Sequence, residues 1–377
     1  MRAELRWARV PVTRHGRLAV TLLLVAVLLS GCAQDEGPAK QEGGAQAPVI
    51  SEAPSAGDGT AAGEPDGAAG TTGAPGVPAD EAREILATYN DTGNSANATL
   101  DSELLATIES GAALAVDDAV YRIGHVLDPD NADPIQPFTW SEPEFHIPAA
   151  PADGSAPWFV AEASVDGGST RYAMVFTSAD DGATWTVPWY AAVGEGLPQL
   201  ATGADGAAVA VPADAAGDLA VAIGEVPAAH AAYLTAGASS PQAGRFARDP
   251  SSRQIIERAY LPKKFRDVQS RSREVGVADE PVRALETADG GAVVFYATEL
   301  RATVRDVEQV VTLGPREAAL AGTDALFGGA TFTTVNMWLA QVPPAGAGKV
   351  SIIADHDGLV DIAEVAASEL PVPERDG

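Results

Sequence analysis

Residues 33–80 contain no aromatic side chain, eight acids and one base, Lys40, in a background of Ala, Gly, Pro, Thr and Ser. Such a stretch lacks the apolar area needed to offset the entropy of ordering its backbone, so the sequence predicts a disordered acidic tether. A packed core must therefore be built from the residues C-terminal to it, from about residue 81 onward. As a flexible coil the tether reaches roughly 35–40 Å on average.

Ahead of the tether, Arg2, Arg6, Arg9, Arg14 and Arg17 stand against the single acid Glu4 and lead into the apolar run from Leu18 to Leu29. A dozen apolar residues are too few to cross a bilayer core, which takes about 20 in a helix, so residues 1–31 read as a signal peptide. The run ends in Leu29-Ser30-Gly31-Cys32, which resembles the lipobox of bacterial lipoproteins. That resemblance implies a diacylglycerol on the Cys32 thiol and cleavage before it. It also implies a mature chain held to the membrane by its N-terminal lipid, because several acyl chains anchor a protein where one does not. The plainer alternative is an ordinary secretory signal with a chance cysteine. Arg14 and Arg17 are not adjacent, which favours the general export route over the twin-arginine one.

Cys32 is the only cysteine, so an intramolecular disulfide, a four-thiolate zinc site and an iron–sulfur cluster are excluded. The chain carries 24 basic and 52 acidic residues, net −28. Loss of residues 1–31 leaves 19 basic against 51 acidic, net −32. That charge opposes sequence-independent binding to nucleic acid, which depends on basic side chains displacing counterions. Twenty arginines against four lysines, with abundant Ala, Gly and Pro, suit a GC-rich genome and an actinobacterial source.

Helical period opens the ordered region. Asp80 is placed to cap a helix with Ile85, Leu86 and Tyr89 on one face, and Asp101 to cap a second with Leu104, Leu105 and Ile108, ended by Gly111. A third helical stretch runs from Val116 to Ile123. The period then becomes strand-like over Phe138–His146, Trp158–Ser164, Tyr172–Ser178 and Thr184–Val193, with turn signals at 165–168 and 179–182. Element order repeats afterwards, with helices near Val226–Ala236 and Ser251–Arg273. Strands are then expected at Val282–Ala288, Ala292–Val304, Val307–Leu313, Thr331–Val342 and Lys349–Ala354. These readings predict an α+β chain with a first domain at 81–198, a connector at 199–225, a second domain at 226–361 and a loose tail at 362–377.

The stretches Ile85–Asp91 and Leu104–Gly111, followed by Pro157-Trp158-Phe159-Val160 and a final hairpin, resemble a family of uncharacterised actinobacterial lipoproteins. More distantly, the element order is similar to the cone-shaped fold of nuclear transport factor two and the polyketide cyclases. The resemblance implies two successive cone-like domains, each with N-terminal helices packed on a curved antiparallel sheet, and a pocket between helices and sheet. It supplies no catalytic motif.

Ser178-Ala-Asp180-Asp-Gly182-Ala-Thr184-Trp185 resembles the Asp-box of sialidases, a hairpin device in which the aromatic packs beneath the turn. A partial copy starts 14 residues earlier, at Ser164. Propeller blades need about 40 residues each, so both copies read as meander turns. Nine of the mature chain's basic residues fall within 29 positions: Arg245, Arg248, Arg253, Arg258, Lys263, Lys264, Arg266, Arg271 and Arg273. They suit a solvated helical face paired with the chain's own acids or, as the functional alternative, a docking patch for an envelope protein or anionic wall polymer. Neither Gly-x-Ser-x-Gly nor Ser-x-x-Lys occurs, and no histidines have metal-ligand spacing, so no catalytic residue, metal or cofactor is expected. Glu144 and His146 alternate with Trp140 on one strand face and could form an acid/base pair. The acidic runs 128–133 and 355–358 resemble incomplete calcium loops. The function expected is a non-catalytic binding or scaffold module in the bacterial cell envelope; the alternative is a hydrolase or isomerase using a cone-fold pocket.

Overall fold

The first helix begins where the apolar period begins. In a computed structural model, residues 74–151, 154–178, 182–214, 219–257, 270–305 and 310–365 are described. Residues 1–73, with the signal peptide, Leu29, Ser30, Gly31, Cys32 and nearly all of the tether, lie outside the described residues. So do Arg258, Lys263, Lys264, Arg266 and the last dozen residues. Helix α1 spans Ala79–Thr99 with Asp80 and Glu81 in its first turn, where acids complement the helix dipole. It buries Ala82 and Leu86 and stops at Leu100, whose left-handed φ of 55° closes the helix. Asp101 then caps the short α2, Ser102–Leu105, by accepting from the Leu104 N–H at 2.9 Å.

Helix α3 spans Gly111–Leu127. Gly111, expected to end a helix, instead starts one, at φ 52°. A side chain there would collide with the Glu280 carboxylate, which accepts from the Ala112 N–H at the helix's first turn.

Strands β1 (Trp140–His146), β2 (Trp158–Val165), β3 (Arg171–Ser178) and β4 (Trp185–Gly194) form an antiparallel meander in that order. Asp166, at φ 49°, and Gly167, at φ 72°, make the tight β2–β3 turn, and the Asp166 carboxylate accepts from the Thr139 N–H at 2.8 Å. The second half opens with α4 (Val226–Ala236) and α5 (Pro250–Ile256). Its sheet has the order β11-β10-β7-β5. The members are β5 (Ser270–Val277), β7 (Ala292–Arg305), β10 (Ala330–Val342) and β11 (Ser351–Glu364), with β6 (Arg283–Glu286) also pairing β7. A small hairpin, β8 (Val310–Thr312) with β9 (Ala325–Phe327), flanks α6 (Pro315–Ala321), which lies against α3.

Side-chain alternation decides how the sheets stack. On β2, Phe159, Ala161 and Ala163 turn toward α1 and join Leu86, Met174 and Phe176. Phe159 and Phe176 stack with ring centroids 4.7 Å apart. Trp158 and Val160, on the other face, join Val175 and Trp189 in one core with Val293, Phe295, Met337 and Leu339 of the second sheet. The opposite faces of β7 and β10, with Val294, Tyr296, Trp338 and Ala340, pack on Val226 and Leu234 of α4 and Ile255 of α5. The layers thus run helix, sheet, sheet, helix, with the two sheets face to face.

The fold is α+β, with helices packed on an antiparallel sheet in each half, and the two sheets share a core. β2 is buried along its whole length on both faces, while α1 covers one face only. The second sheet covers the other: Trp189 meets Phe295 edge-to-face at 5.0 Å, and the Arg283 guanidinium lies over the Trp158 ring at 5.5 Å. Residues 199–211 tie the halves further. Ala208 donates to Ile147 O beside β1, and Val211 donates to Ala284 O on β6.

Two expected elements changed type. The long helix over Ser251–Arg273 is α5 at its start, but from Ser270 it is strand β5, so Arg271 and Arg273 stand on a strand. The acidic run at 355–358, read as a loop, lies inside β11, which pairs with β10 from Ser351 to Glu364. Gly358 there lets α3 approach, since a Cβ would sit 2.6 Å from Val116 Cγ1. Among the described helices none is long and apolar enough to cross a membrane.

Candidate functional site

Of the basic residues of 245–273, the side chains of Arg245, Arg248, Arg253 and Arg273 are among the described ones. Arg245 pairs with Glu225 at 3.2 Å, and Arg253 faces Glu257 at 3.8 Å, one helical turn away. Such exposed pairs contribute about 0–1 kcal/mol. Arg273 is turned inward. Its guanidinium donates to Thr235 O, Ile255 O and Ile256 O, satisfying carbonyls at the ends of α4 and α5. Arg248 is exposed.

Glu144 and His146 do not form the expected pair. A bulge between Ser141 and Glu144 shifts the register, and Glu144 is exposed. His146 Nε2 instead lies 3.9 Å from Glu162, a 4 % exposed carboxylate ion-paired with Arg171 and accepting from the Leu197 N–H at 2.9 Å. Burial pushes the Glu162 carboxyl up, but contacts from His146, Leu197 N–H and Arg171 outweigh it and hold the pKa below the usual range. The acidic run at 128–133 closes on itself, with Asp128 accepting from the Asp133 N–H at 3.0 Å. Among the described residues no three His, Cys, Asp or Glu side chains are grouped to hold a metal.

Two open concavities stand out. One, of about 430 Å³, lies between α1 and the β3–β4 hairpin, with Glu81, Glu84 and Tyr89 on one wall and Phe176 and Trp185 on the other. In that hairpin Gly182 N–H donates to Ser178 Oγ at 2.6 Å, and Trp185 Nε1 donates to Gly182 O at 3.1 Å. Asp180 lies outside the described residues. The other concavity, of about 420 Å³, opens where the loop 195–198 meets Leu339 and Ile353 of the second sheet.

Behind the first groove sits a cluster that no sequence motif marked. The Tyr89 hydroxyl, on the groove wall, donates to Glu109 Oε1 at 2.9 Å. Glu109 is 3 % exposed, and its other oxygen, Oε2, has no hydrogen-bond partner. Asp117 of α3 lies within hydrogen-bonding reach of Glu109 and accepts from the Tyr190 hydroxyl of β4 at 2.8 Å. Burial raises the Glu109 carboxyl well above its ordinary pKa and the Asp117 charge raises it further; burial raises Asp117 to about 6. The Tyr190 ring rests on His356 of β11, 4.7 Å away, and burial lowers that imidazole to about 4. The sequence signal was available: residues 113, 117 and 121 share a helix face, with buried Ala113 and Tyr121 on either side of an acid.

The second half holds its own buried polar relay. His230 is 0 % exposed, with Nε2 3.0 Å from Ser252 Oγ and Nδ1 2.8 Å from the Tyr296 hydroxyl. Burial lowers the imidazole to about 3, so it is neutral at physiological pH. Ser252 is 1 % exposed, so this serine–histidine pair is sealed from any substrate and serves the core.

No curated protein and no solved structure matches this chain. One family profile does, across residues 74–364, from the start of the described structure to the last residue of β11. The chain therefore belongs to the family described as a domain of unknown function, DUF8094.

Proposed function

We propose that this chain is a lipoprotein of the bacterial cell envelope, anchored through Cys32 on the outer face of the cytoplasmic membrane and acting there as a non-catalytic binding or scaffold module. The observation that carries the reading is the lone cysteine directly behind Leu29-Ser30-Gly31 and a short apolar run. The 48-residue acidic segment after it gives the folded part reach. Composition supports an actinobacterial source.

Binding is favoured over catalysis by where the reactive groups stand. An enzyme needs titratable side chains converging on an open cavity. Here His230 with Ser252, and Glu109, are enclosed, while the groove beside α1 offers exposed Glu81 and Glu84 and the half-buried rings of Tyr89 and Trp185. The patch proposed for an envelope protein or anionic wall polymer then rests chiefly on Arg248, Arg258, Lys263, Lys264, Arg266 and Arg271, since Arg245 and Arg253 have acidic neighbours and Arg273 caps helices. A helix-to-sheet pocket of the cone type remains the alternative setting for a hydrolase or isomerase.

Fractionation of cells expressing the full chain tests the anchor: Cys32→Ser should move the protein from membrane to medium. Equal membrane retention of both forms would overturn the lipoprotein reading. In-cell crosslinking of wild type beside a Lys263/Lys264/Arg266→Ala variant tests the patch, and a captured partner should be lost in the variant and weakened by salt.

A further inference from the structure

The carboxyls of Glu109 and Asp117 meet where α1, α3 and β4 join, and the donors around them are one too few. Tyr89 supplies one hydroxyl to Glu109 Oε1 and Tyr190 one to Asp117 Oδ1. Glu109 Oε2 is buried without a donor, beside a second carboxyl. Two ionised carboxylates are both acceptors, so their contact becomes a hydrogen bond only when one of them carries a proton. A buried acceptor left unmade is costly, and two like charges in contact there are costlier still. We propose that Glu109 and Asp117 form a proton-binding site, in which one proton held between the two carboxyls closes the junction of α1 with α3 and β4.

No cation among the described residues offers a substitute for that proton. Tyr89 faces the pair from α1 and Tyr190 from β4. On α3, Tyr121 gives its hydroxyl to Asn97 at 2.8 Å, and Asp101, the α2 cap, acts on it from a distance. His356 reaches the cluster from β11 only through the Tyr190 ring. Glu280 stands at the first turn of α3, and burial raises it to about 7. Arg122 of α3 points away, held by Asp118 at 3.0 Å and by Val360 O at 2.6 Å. His125 lies against Leu100 O.

The linkage to pH has a definite sign. The folded chain keeps a proton that the unfolded chain releases, since burial raises both carboxyls. The pair's contribution to stability is therefore greatest below the ordinary carboxylate range and falls as pH rises toward and through about 6, the value for Asp117. Tyr89 carries the effect to the α1 wall of the groove, so the site makes that wall's rigidity depend on external pH. This inference stands on the geometry of the pair and is independent of how the chain is anchored.

The test uses the full chain. Difference infrared spectroscopy across about pH 5 to about pH 8 should show a protonated-carboxyl band that titrates in wild type. Glu109→Gln and Asp117→Asn should each lose the pair's part of it, whereas Glu280→Gln and Asp357→Asn, at carboxyls raised to about 7 and about 6, should lose only their own. Melting temperature should fall with rising pH in wild type, and the fall should be smaller in Glu109→Gln, whose amide supplies the missing donor without a proton. If either variant fails to fold, the other and the wild-type spectrum still decide. Absence of the band in wild type at about pH 5, or the same band and pH slope in wild type and the folded variants, would overturn the proposal.

Discussion

Each half of the molecule buries a polar cluster, and the two are built to opposite rules. In the second half, His230 has two ring nitrogens and two partners, Ser252 and Tyr296, so either neutral tautomer is satisfied. In the first half, Glu109 and Asp117 bring four acceptor oxygens, for which two tyrosine hydroxyls are the side-chain donors, and Glu109 Oε2 is left over. In the folded chain the complete network stays neutral across the physiological range; the incomplete one asks for a proton. The two clusters thus differ in donor arithmetic as well as in depth: Tyr89, Asp117 and Tyr190 are half-buried, whereas His230, Ser252 and Tyr296 are buried.

The comparison presumes that the halves form one body, and the largest effect tests that. Trp189→Ala removes the ring that meets Phe295 between the sheets and should cost about 3–5 kcal/mol. Urea unfolding followed by both tryptophan fluorescence and far-UV dichroism should remain a single shifted transition. Separate transitions, with one half unmoved, would show independent domains. Next, His230→Leu strands the Tyr296 hydroxyl and Ser252 Oγ in the core and should cost about 2–4 kcal/mol. Because burial holds His230 neutral, with a pKa of about 3, while the unfolded imidazole gains a proton below about 6.5, that cost should be equal at about pH 8 and about pH 9 and smaller at about pH 6 in denaturant titrations. A cost that grew toward low pH would undo the contrast. Tyr89→Phe takes one donor from the carboxyl pair and should cost about 1–2 kcal/mol. Its penalty should grow from about pH 5 to about pH 8, since an ionised Glu109 holds that hydroxyl more strongly. The smallest change, Asp101→Ala, removes the α2 cap and should cost about 1 kcal/mol in the same titrations, with no difference between those pH values.

Element type and order were largely legible in the sequence, because period and punctuation carry them. Asp101 caps α2, helix α4 spans Val226–Ala236 as its apolar run implied, and strands β2 and β3 match their aromatic and branched runs. What was hidden is non-local. Gly111 looks like a helix stop until Glu280, 169 positions later, is seen beside it. The run at 355–358 looks like a loop until Asp355, His356 and Asp357 are seen opposite Trp338, Met337 and Asn336 on β10. The face-to-face sheets were hidden for the same reason. Alternation shows that both faces of β2 are apolar, but not which element covers the second one. The carboxyl pair fell between these cases. Asp117 on a buried helix face was readable as an anomaly, whereas its neighbour Glu109 and the Tyr89 and Tyr190 donors come together only in the fold.

Native-state hydrogen exchange on the full chain, at about pH 5 and about pH 8 and corrected for intrinsic rates, tests the contrast most directly. Protection of α1, which carries Tyr89, should fall at the higher pH, while protection of α4, which carries His230, should hold or rise. Unchanged protection of α1, or an equal loss in both helices, would contradict a proton site confined to the junction of α1, α3 and β4.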